Sequence, residues 1–227
     1  MEFKFPPTPH LAWLGPSAPR ADKVLPPDEV LCFLSLPVVV EEKLDGANIG
    51  IFFEDGASPI VKNRNTILGA GSHPQFQALW PWLAERQGAL YQAMGTRLML
   101  FGEWCFAVHS VHYQDLPGYF IAFDLYDRHA GNFWSAERRD EWAHDLGIVT
   151  VPIVAKGLYS LKELERLLLA LPSRFGAEPA EGLYLRQDRH GWLQKRAKLV
   201  RPEFVQAIEE HWTKRPLERN RLNRVKT

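Results

Sequence analysis

The sequence predicts an α+β fold built on antiparallel sheets, and three observations predict it. Apolar runs rich in β-branched and aromatic residues recur from about residue 38 to residue 199. Helical patterns fall between them in no strict strand–helix–strand alternation, which argues against a doubly wound parallel sheet. Two late runs flank Asp188-Arg189-His190-Gly191, a hairpin turn signal. With 227 residues, 46% of them hydrophobic and including eight Trp and 13 Phe, the chain can bury a proper core. No internal repeat or low-complexity tract is present. A single compact domain with appended ends is the simplest organisation.

The elements follow in order. Residues 1–37 are Pro-rich and predict an irregular N-terminal arm. Strands are expected at 38–44, 48–53 and 59–62, with a turn at Glu54-Asp55-Gly56 between the last two. Residues 74–94 have a helical pattern, and Pro81 suits the start of a second helix after a break. Arg97 to Trp104 and Tyr119 to Tyr126 predict core strands. Ser135 caps a helix over 136–146 that Gly147 ends. Ser160-Leu161-Lys162-Glu163 is a capping box opening a Leu-rich helix to about residue 171. Strands at 181–186 and 192–199 form the hairpin, and Pro202 opens a last helix to about Trp212. The domain proper is therefore 38–200, followed by a basic helix and tail over 201–227.

Composition excludes several classes. No apolar run of about 18 residues exists, so no membrane span is expected. The start, Met1-Glu2-Phe3-Lys4-Phe5-Pro6-Pro7, is not a secretory signal. Cys32 and Cys105 are the only cysteines, which is no disulfide framework, and a reducing cytoplasm is the expected location. The net charge is zero but unevenly placed. Residues 195–227 carry ten Lys/Arg against four acids, a net of +6 that the remainder balances at −6. Such an end suits contact with a polyanion or simply a solvated tail.

Lys43 lies in Glu42-Lys43-Leu44-Asp45-Gly46-Ala47-Asn48, directly after Val38-Val39-Val40. A lysine carried by a buried strand into a Gly-containing turn is costly to hold. The placement makes sense for a nucleophile. A lysine amine attacks only when neutral, and its ordinary pKa near 10.4 must then fall by about 3 units, or ~4–5 kcal/mol. Neighbouring cations and partial burial are the expected means. Taken alone, Lys-x-Asp-Gly reads equally as a surface hairpin turn.

Four further segments stand behind it. Phe101-Gly102-Glu103-Trp104 puts a carboxylate at the end of an apolar strand. Tyr119 to Tyr126 is an aromatic strand with an embedded Asp124. Glu181-Gly182-Leu183-Tyr184-Leu185-Arg186 brings a carboxylate into a strand, and Gln194-Lys195-Arg196-Ala197-Lys198 sets cations in an apolar one. Together they suit a nucleotide site. Arg196 and Lys198 share a strand face and can hold phosphates, while Lys195 points away. Phe123 can stack on a base, and Glu103 can accept a ribose hydroxyl. Asp45 and Glu181 are hard oxygen ligands for Mg²⁺ or its water shell. Each residue by itself has an ordinary structural explanation; their joint order is what argues for a site.

The chain resembles the RNA ligase branch of the covalent nucleotidyltransferases, which also include DNA ligases and mRNA capping enzymes. Lys43-x-Asp45-Gly46 resembles motif I of that superfamily, Phe101-Gly102-Glu103 motif III and Ala122-Phe123-Asp124 motif IIIa. Glu181-Gly182 resembles motif IV and Arg196-x-Lys198 motif V, so the likeness runs from about 38 to 200. Asn48 and Arg64 fall where RNA ligase 2-like enzymes place nucleotide-contacting residues. The resemblance implies an ATP-grasp-like nucleotidyltransferase domain, two antiparallel sheets flanked by helices around a nucleotide cleft. It implies that Lys43 takes AMP from ATP with Mg²⁺ or Mn²⁺, passes it to a 5′-phosphate RNA end, and that a 3′-hydroxyl then seals the junction. Glu103 would hold the ribose, Phe123 the adenine, Asp45 and Glu181 the metal's waters, and Arg196 and Lys198 the phosphates. Glu42 would help read adenine.

Two departures stand out. Arg196 occupies a position that is Lys in many relatives, and Lys195 would substitute if the register differs by one. The stretch after motif V is also too short for the oligonucleotide-binding barrel of DNA ligases or a full RNA-specific domain. RNA ends would then depend on the basic tail or on a partner; RNA ligases often work with an end-healing kinase/phosphatase. Rival readings are a GTP-using capping-type enzyme, a DNA nick ligase, and a non-catalytic RNA-binding module. Cys105-x3-His109-x2-His112 is a candidate zinc set. It lacks an evident fourth ligand and reads better as the loop after Glu103.

Overall fold

The computed structural model describes residues 3–15, 23–64, 66–207 and 216–223, with side chains at 205–207 left aside. In chain order the elements are α1 (Pro27–Leu34), β1 (Val38–Lys43), β2 (Ala47–Phe52), β3 (Ile60–Asn63), β4 (Thr66–Ile67), a 3₁₀ turn (Pro74–Phe76), α2 (Leu79–Ala84) and α3 (Gln87–Met94). They continue as β5 (Leu98–Trp104), β6 (Phe120–Asp127), β7 (Asn132–Phe133), α4 (Ala136–Asp145), β8 (Ile153–Gly157), α5 (Leu161–Ala170), β9 (Gly182–Arg189), β10 (Trp192–Val200) and α6 (Pro202–Ala207). Two antiparallel sheets result. One has the order β10-β9-β1-β8 and the other β4-β3-β2-β5-β6-β7.

Each sheet buries one apolar face under helices. Val38, Val40, Leu183, Leu185, Ala197 and Leu199 pack with Phe33 of α1 and Leu164 and Leu168 of α5. Ile49, Ile51, Leu98, Leu100 and Leu125 of the other sheet pack with Leu79 and Leu83 of α2 and Leu90 and Met94 of α3. Side chains alternate along a strand. The opposite face of the first sheet therefore carries Glu41, Lys43, Tyr184, Arg186, Arg196 and Lys198. Alternation alone sends these six toward the cleft between the sheets.

Several boundaries differ from expectation for identifiable reasons. The helix expected over 74–94 is three pieces, and Pro81 lies inside the first turn of α2 rather than opening a helix. A first-turn N–H has no intrahelical partner, so proline loses nothing there. The N-terminal arm is not wholly irregular. Pro27 at the helix start and Asp28 and Glu29 in the first turn form α1. β8 has no strong sequence pattern because it is an edge strand without a buried face. The β9–β10 hairpin turns through His190 and Gly191, with φ of 53° and 78°, as a two-residue loop of this kind requires. The last helix is described to Ala207, so its expected end near Trp212 lies outside the described residues, as do Lys214, Arg215, Arg224 and Lys226. Among the described residues no helix is long and apolar enough to cross a membrane.

The arm is joined to β10 and reaches the cleft side of the molecule. Lys198 N–H donates to the Pro9 carbonyl (2.9 Å) and Leu11 N–H to the Lys198 carbonyl (2.7 Å), so the arm runs along β10. Phe5 then reaches Phe123 edge-on, with ring centroids 5.6 Å apart.

Candidate active site

Lys43 ends β1 and sits directly opposite Gly182, the first residue of β9. That pairing brings Glu181 beside it, and the Lys43 ammonium donates to Glu181 Oε2 at 2.5 Å. A Cβ on Gly182 would lie 2.6 Å from the Leu199 carbonyl, so the close approach of the β10 backbone requires glycine here, beside the lysine stem. The next strand over, β10, contributes Lys198. From the second sheet, β5 supplies Glu103, paired with Asn48 of β2. Gly46 permits this approach, since a Cβ there would lie 2.7 Å from the Trp104 carbonyl. Asn48 and Arg64 line a hollow beside Phe101 and the arm residues Phe3 and Phe5.

The turn after Lys43 is held from outside. Asp45 Oδ2 accepts from Ser110 N–H (2.6 Å) and Val111 N–H (3.0 Å), and Asp45 N–H donates to the Tyr113 hydroxyl (2.8 Å). Glu42 belongs to the other strand face. Its carboxylate accepts from Ser173 Oγ (2.6 Å) and Arg174 N–H (2.9 Å), which leaves its side chain anchoring β1 rather than facing a base. Lys195 also stands apart. It is exposed, 3.8 Å from Cys32 of α1, while Arg196 and Lys198 lie on the cleft face. Alternation along β10 sets that arrangement.

Lys43's surroundings differ from the expected ones. Burial lowers its pKa, but Glu181, Glu103 and Asp45 outweigh burial and raise it. In the ligand-free protein the amine is therefore an ammonium. The expectation of neighbouring cations is corrected: carboxylates surround it, with Lys198 as the principal nearby cation. The carboxylates respond in turn. Burial pushes Glu181 up to about 7 against the pull of Lys43, and Glu103 up to about 8. Lys198 falls to about 8, through burial and then repulsion from Lys43.

A charged network under the site was not foreseen. Arg186 is fully buried and donates to Asp124 Oδ1 (2.5 Å) and the Trp134 carbonyl (2.7 Å). Asp124 Oδ2 accepts from Arg196 (2.8 Å), which also donates to the Tyr184 hydroxyl (3.0 Å) and lies over the Phe133 ring. Arg139 of α4 donates to Glu41 Oε1 (2.7 Å) and to the Phe123 carbonyl (2.5 Å). Phe123 and Arg196 are thus both positioned by buried ions. The available signal was alternation in β9: Arg186 shares a face with Gly182 and Tyr184, opposite the core leucines. Nothing local in α4 marks Arg139.

The residues fit a hydrated divalent cation shared with phosphate oxygens better than an all-protein cage. Burial, and after it the neighbouring carboxylates, raise the pKa values of Glu181 and Glu103, so added positive charge would be welcome. Among the described residues no group of three or more His, Cys, Asp or Glu is placed to hold a metal by itself. Cys105 is buried, and His109 Nε2 lies 3.1 Å from Gln75 Oε1 in the loop that holds Asp45.

The two sheets with a lysine–carboxylate cleft between them define a nucleotidyltransferase domain of the RNA ligase type, and solved structures have the same fold. The Naegleria gruberi RNA ligase with PPi matches at 21% identity and a TM-score of 0.58, over 77% of this chain and 52% of that one. A mutant of that ligase with ATP and Mn matches at 20% identity and a TM-score of 0.62, over 81% and 54%. Another with AMP and Mn matches at 19% and 0.63, over 90% and 57%. This chain thus spans about half the length of these relatives. None of the curated proteins searched matches the sequence. The model of the RNA ligase family matches residues 36–200, and the chain belongs to that family.

Proposed function

We propose that this protein is an ATP-dependent RNA ligase that joins 3′-hydroxyl and 5′-phosphate RNA ends through AMP carried on Lys43, with residues 38–200 as the adenylyltransferase unit. The observation that carries the reading is the Lys43–Glu181 contact at 2.5 Å inside a cleft that also holds Glu103 and Lys198. The ammonium must lose a proton before it can attack. Glu181, with a pKa near 7, is placed to receive it at neutral pH. Lys43 Nζ then attacks the α-phosphorus of ATP, a P–N bond forms, and pyrophosphate leaves. AMP moves to an oxygen of the RNA 5′-phosphate, the P–N bond breaks, and the 3′-hydroxyl displaces AMP.

In this scheme Lys198 and Arg196 hold phosphate oxygens, Glu103 and Asn48 the sugar side, and Phe123 the base. Asp45 and Glu181 would hold the water shell of Mg²⁺ or Mn²⁺, which when bound offsets phosphate charge and weakens the amine's hold on its proton. Arg64, exposed beside Asn48 in the hollow under the arm, would contact the nucleotide from that side. An end-healing kinase/phosphatase and a reducing cytoplasmic setting, which suits the unpaired Cys32 and Cys105, complete the proposal.

Incubation with labelled ATP and Mg²⁺ or Mn²⁺, followed by a denaturing gel, should label wild-type protein and leave Lys43→Ala unlabelled. A label on Lys43→Ala would refute the assignment. Parallel incubations with GTP and NAD separate the capping-type and NAD-dependent alternatives. RNA binding without transfer from any nucleotide would favour a non-catalytic module.

A further inference from the structure

The described end of the chain, residues 216–223, is not a loose tail. It lies across the loop between β5 and β6 and is bonded to it along its length. Val108 N–H donates to the Glu218 carbonyl (2.9 Å), Asn220 N–H to the Phe106 carbonyl (3.0 Å), and Arg221 N–H to the Tyr113 carbonyl (2.9 Å). Leu116 N–H donates to the Arg221 carbonyl (3.0 Å) and Asn223 N–H to the Leu116 carbonyl (2.8 Å). At its centre Asn220 is 2% exposed. Both its side-chain N–H groups are used, toward the carbonyls of Cys105 (2.9 Å) and Ala107 (3.1 Å). Its Oδ1 accepts from Tyr113 N–H (2.8 Å).

One amide side chain thus ties the outgoing leg of the loop, at 105 and 107, to the returning leg, at 113. Between those legs lie Ser110 and Val111, whose N–H groups both hold Asp45 Oδ2. The returning leg also carries the Tyr113 hydroxyl that accepts from Asp45 N–H. Asp45 is two residues from Lys43. A buried amide with three bonds in fixed directions tolerates little shift of either leg.

We propose that residues 216–223 form a clasp in which Asn220 is a positioning residue: it closes the base of the 107–113 turn and so holds the Lys43–Asp45 segment in the geometry needed for AMP transfer. The inference rests on the function proposed above. It gives the C-terminal segment a role in the first chemical step, separate from any contact with RNA.

The test uses the full-length chain with Asn220→Ala and Asn220→Ser. Serine keeps a hydroxyl that can donate and accept, about one bond short of the amide atoms, and serves if the alanine variant folds poorly. Circular dichroism gives the folded fraction. Single-turnover labelling at saturating ATP and Mg²⁺ gives the adenylylation rate per folded molecule. Amide hydrogen exchange is read segment by segment. The expected result is a rate reduced tenfold or more for alanine and less for serine. Faster exchange should be confined to 108–113, with β5 and β6 unchanged. Wild-type rates in folded variants overturn the clasp, as does faster exchange spread evenly over the sheets, which marks a general loss of stability. If wild-type protein takes no AMP, the proposed function itself falls. In that case the exchange pattern alone reports whether Asn220 closes the turn, and the catalytic role of the clasp is refuted.

Discussion

Replacing Arg139 with methionine isolates the work of its charge. The side chain is fully buried and bonds to Glu41 Oε1 (2.7 Å), Asp140 Oδ1 (2.7 Å) and the Phe123 carbonyl (2.5 Å). Methionine keeps most of the volume and adapts to the space, so the loss is chiefly electrostatic. Asp140 is partly exposed and recovers water, and the Phe123 carbonyl keeps Arg186 at 3.3 Å. Glu41 does worse. Its other oxygen already lacks a hydrogen-bond partner, and Arg186 stands 4.0 Å away. Stranding one member of a buried pair costs about 3–5 kcal/mol, a large share of the roughly 5–15 kcal/mol that holds a domain together.

The same variant carries a pH signature. Burial raises the Glu41 pKa, and Arg139 opposes that rise. Without Arg139 the folded-state pKa climbs further. A glutamate with a raised folded pKa binds its proton more tightly in the folded state. Its contribution to stability is then present below the ordinary carboxylate range and lost as pH rises through the folded pKa. The deficit of Arg139→Met should therefore be smaller near pH 5 than near pH 8. Urea unfolding followed by Trp fluorescence measures both. Adding Glu41→Gln should restore much of the loss, since no ion remains unpaired. A deficit under about 1 kcal/mol, or one identical at both pH values, would refute the reasoning.

Three further outcomes are expected. Glu181 and Glu103 have folded pKa values of about 7 and about 8, raised from 4.5, so both favour the protonated folded state, and their contribution should fall as pH rises from about 4.5 to about 8. The midpoint of thermal unfolding should drop over that window and drop less in Glu103→Gln; a rise would count against the assignment. Lys198→Ala should slow adenylylation at least tenfold while Lys195→Ala leaves it unchanged, because Lys195 projects toward Cys32 on the outer face. Equal losses in the two variants would mean that the face assignment is wrong. Gly46→Ala should destabilise the fold by about 1–3 kcal/mol, since its methyl would meet a backbone carbonyl that cannot rotate away; chemical denaturation reads this directly.

Much of the site was legible because its signals are local. Lys43-x-Asp45-Gly46, Glu103 and Glu181-Gly182 each sit at a strand end, where a turn and a polar side chain interrupt an apolar run. The β9–β10 hairpin followed from its turn residues. What stayed hidden involved partners distant in sequence. Glu41 and Arg139 are 98 positions apart and Lys43 and Glu181 138. Their ion pairs leave no periodic trace. The role of Asn220 was equally invisible, since an asparagine in a basic stretch reads as a solvated residue. Glu42 was placed with the nucleotide by resemblance alone and Lys195 only for a register shifted by one; strand alternation sends both side chains away from the cleft.

Strand periodicity and turn chemistry were enough by themselves to indicate antiparallel sheets, and the order of five short motifs, through the family it resembles, implied two of them around a cleft. These are properties of consecutive residues, and alternation converts them directly into faces. Tertiary structure alone decided the charge on Lys43, because three carboxylates from separate segments set it against burial. It also decided that Arg139 and Arg186 support Phe123, and that the chain's last described segment closes on the loop around Asp45. Electrostatic fields and hydrogen bonds act through space, and only the folded chain fixes the distances on which they depend.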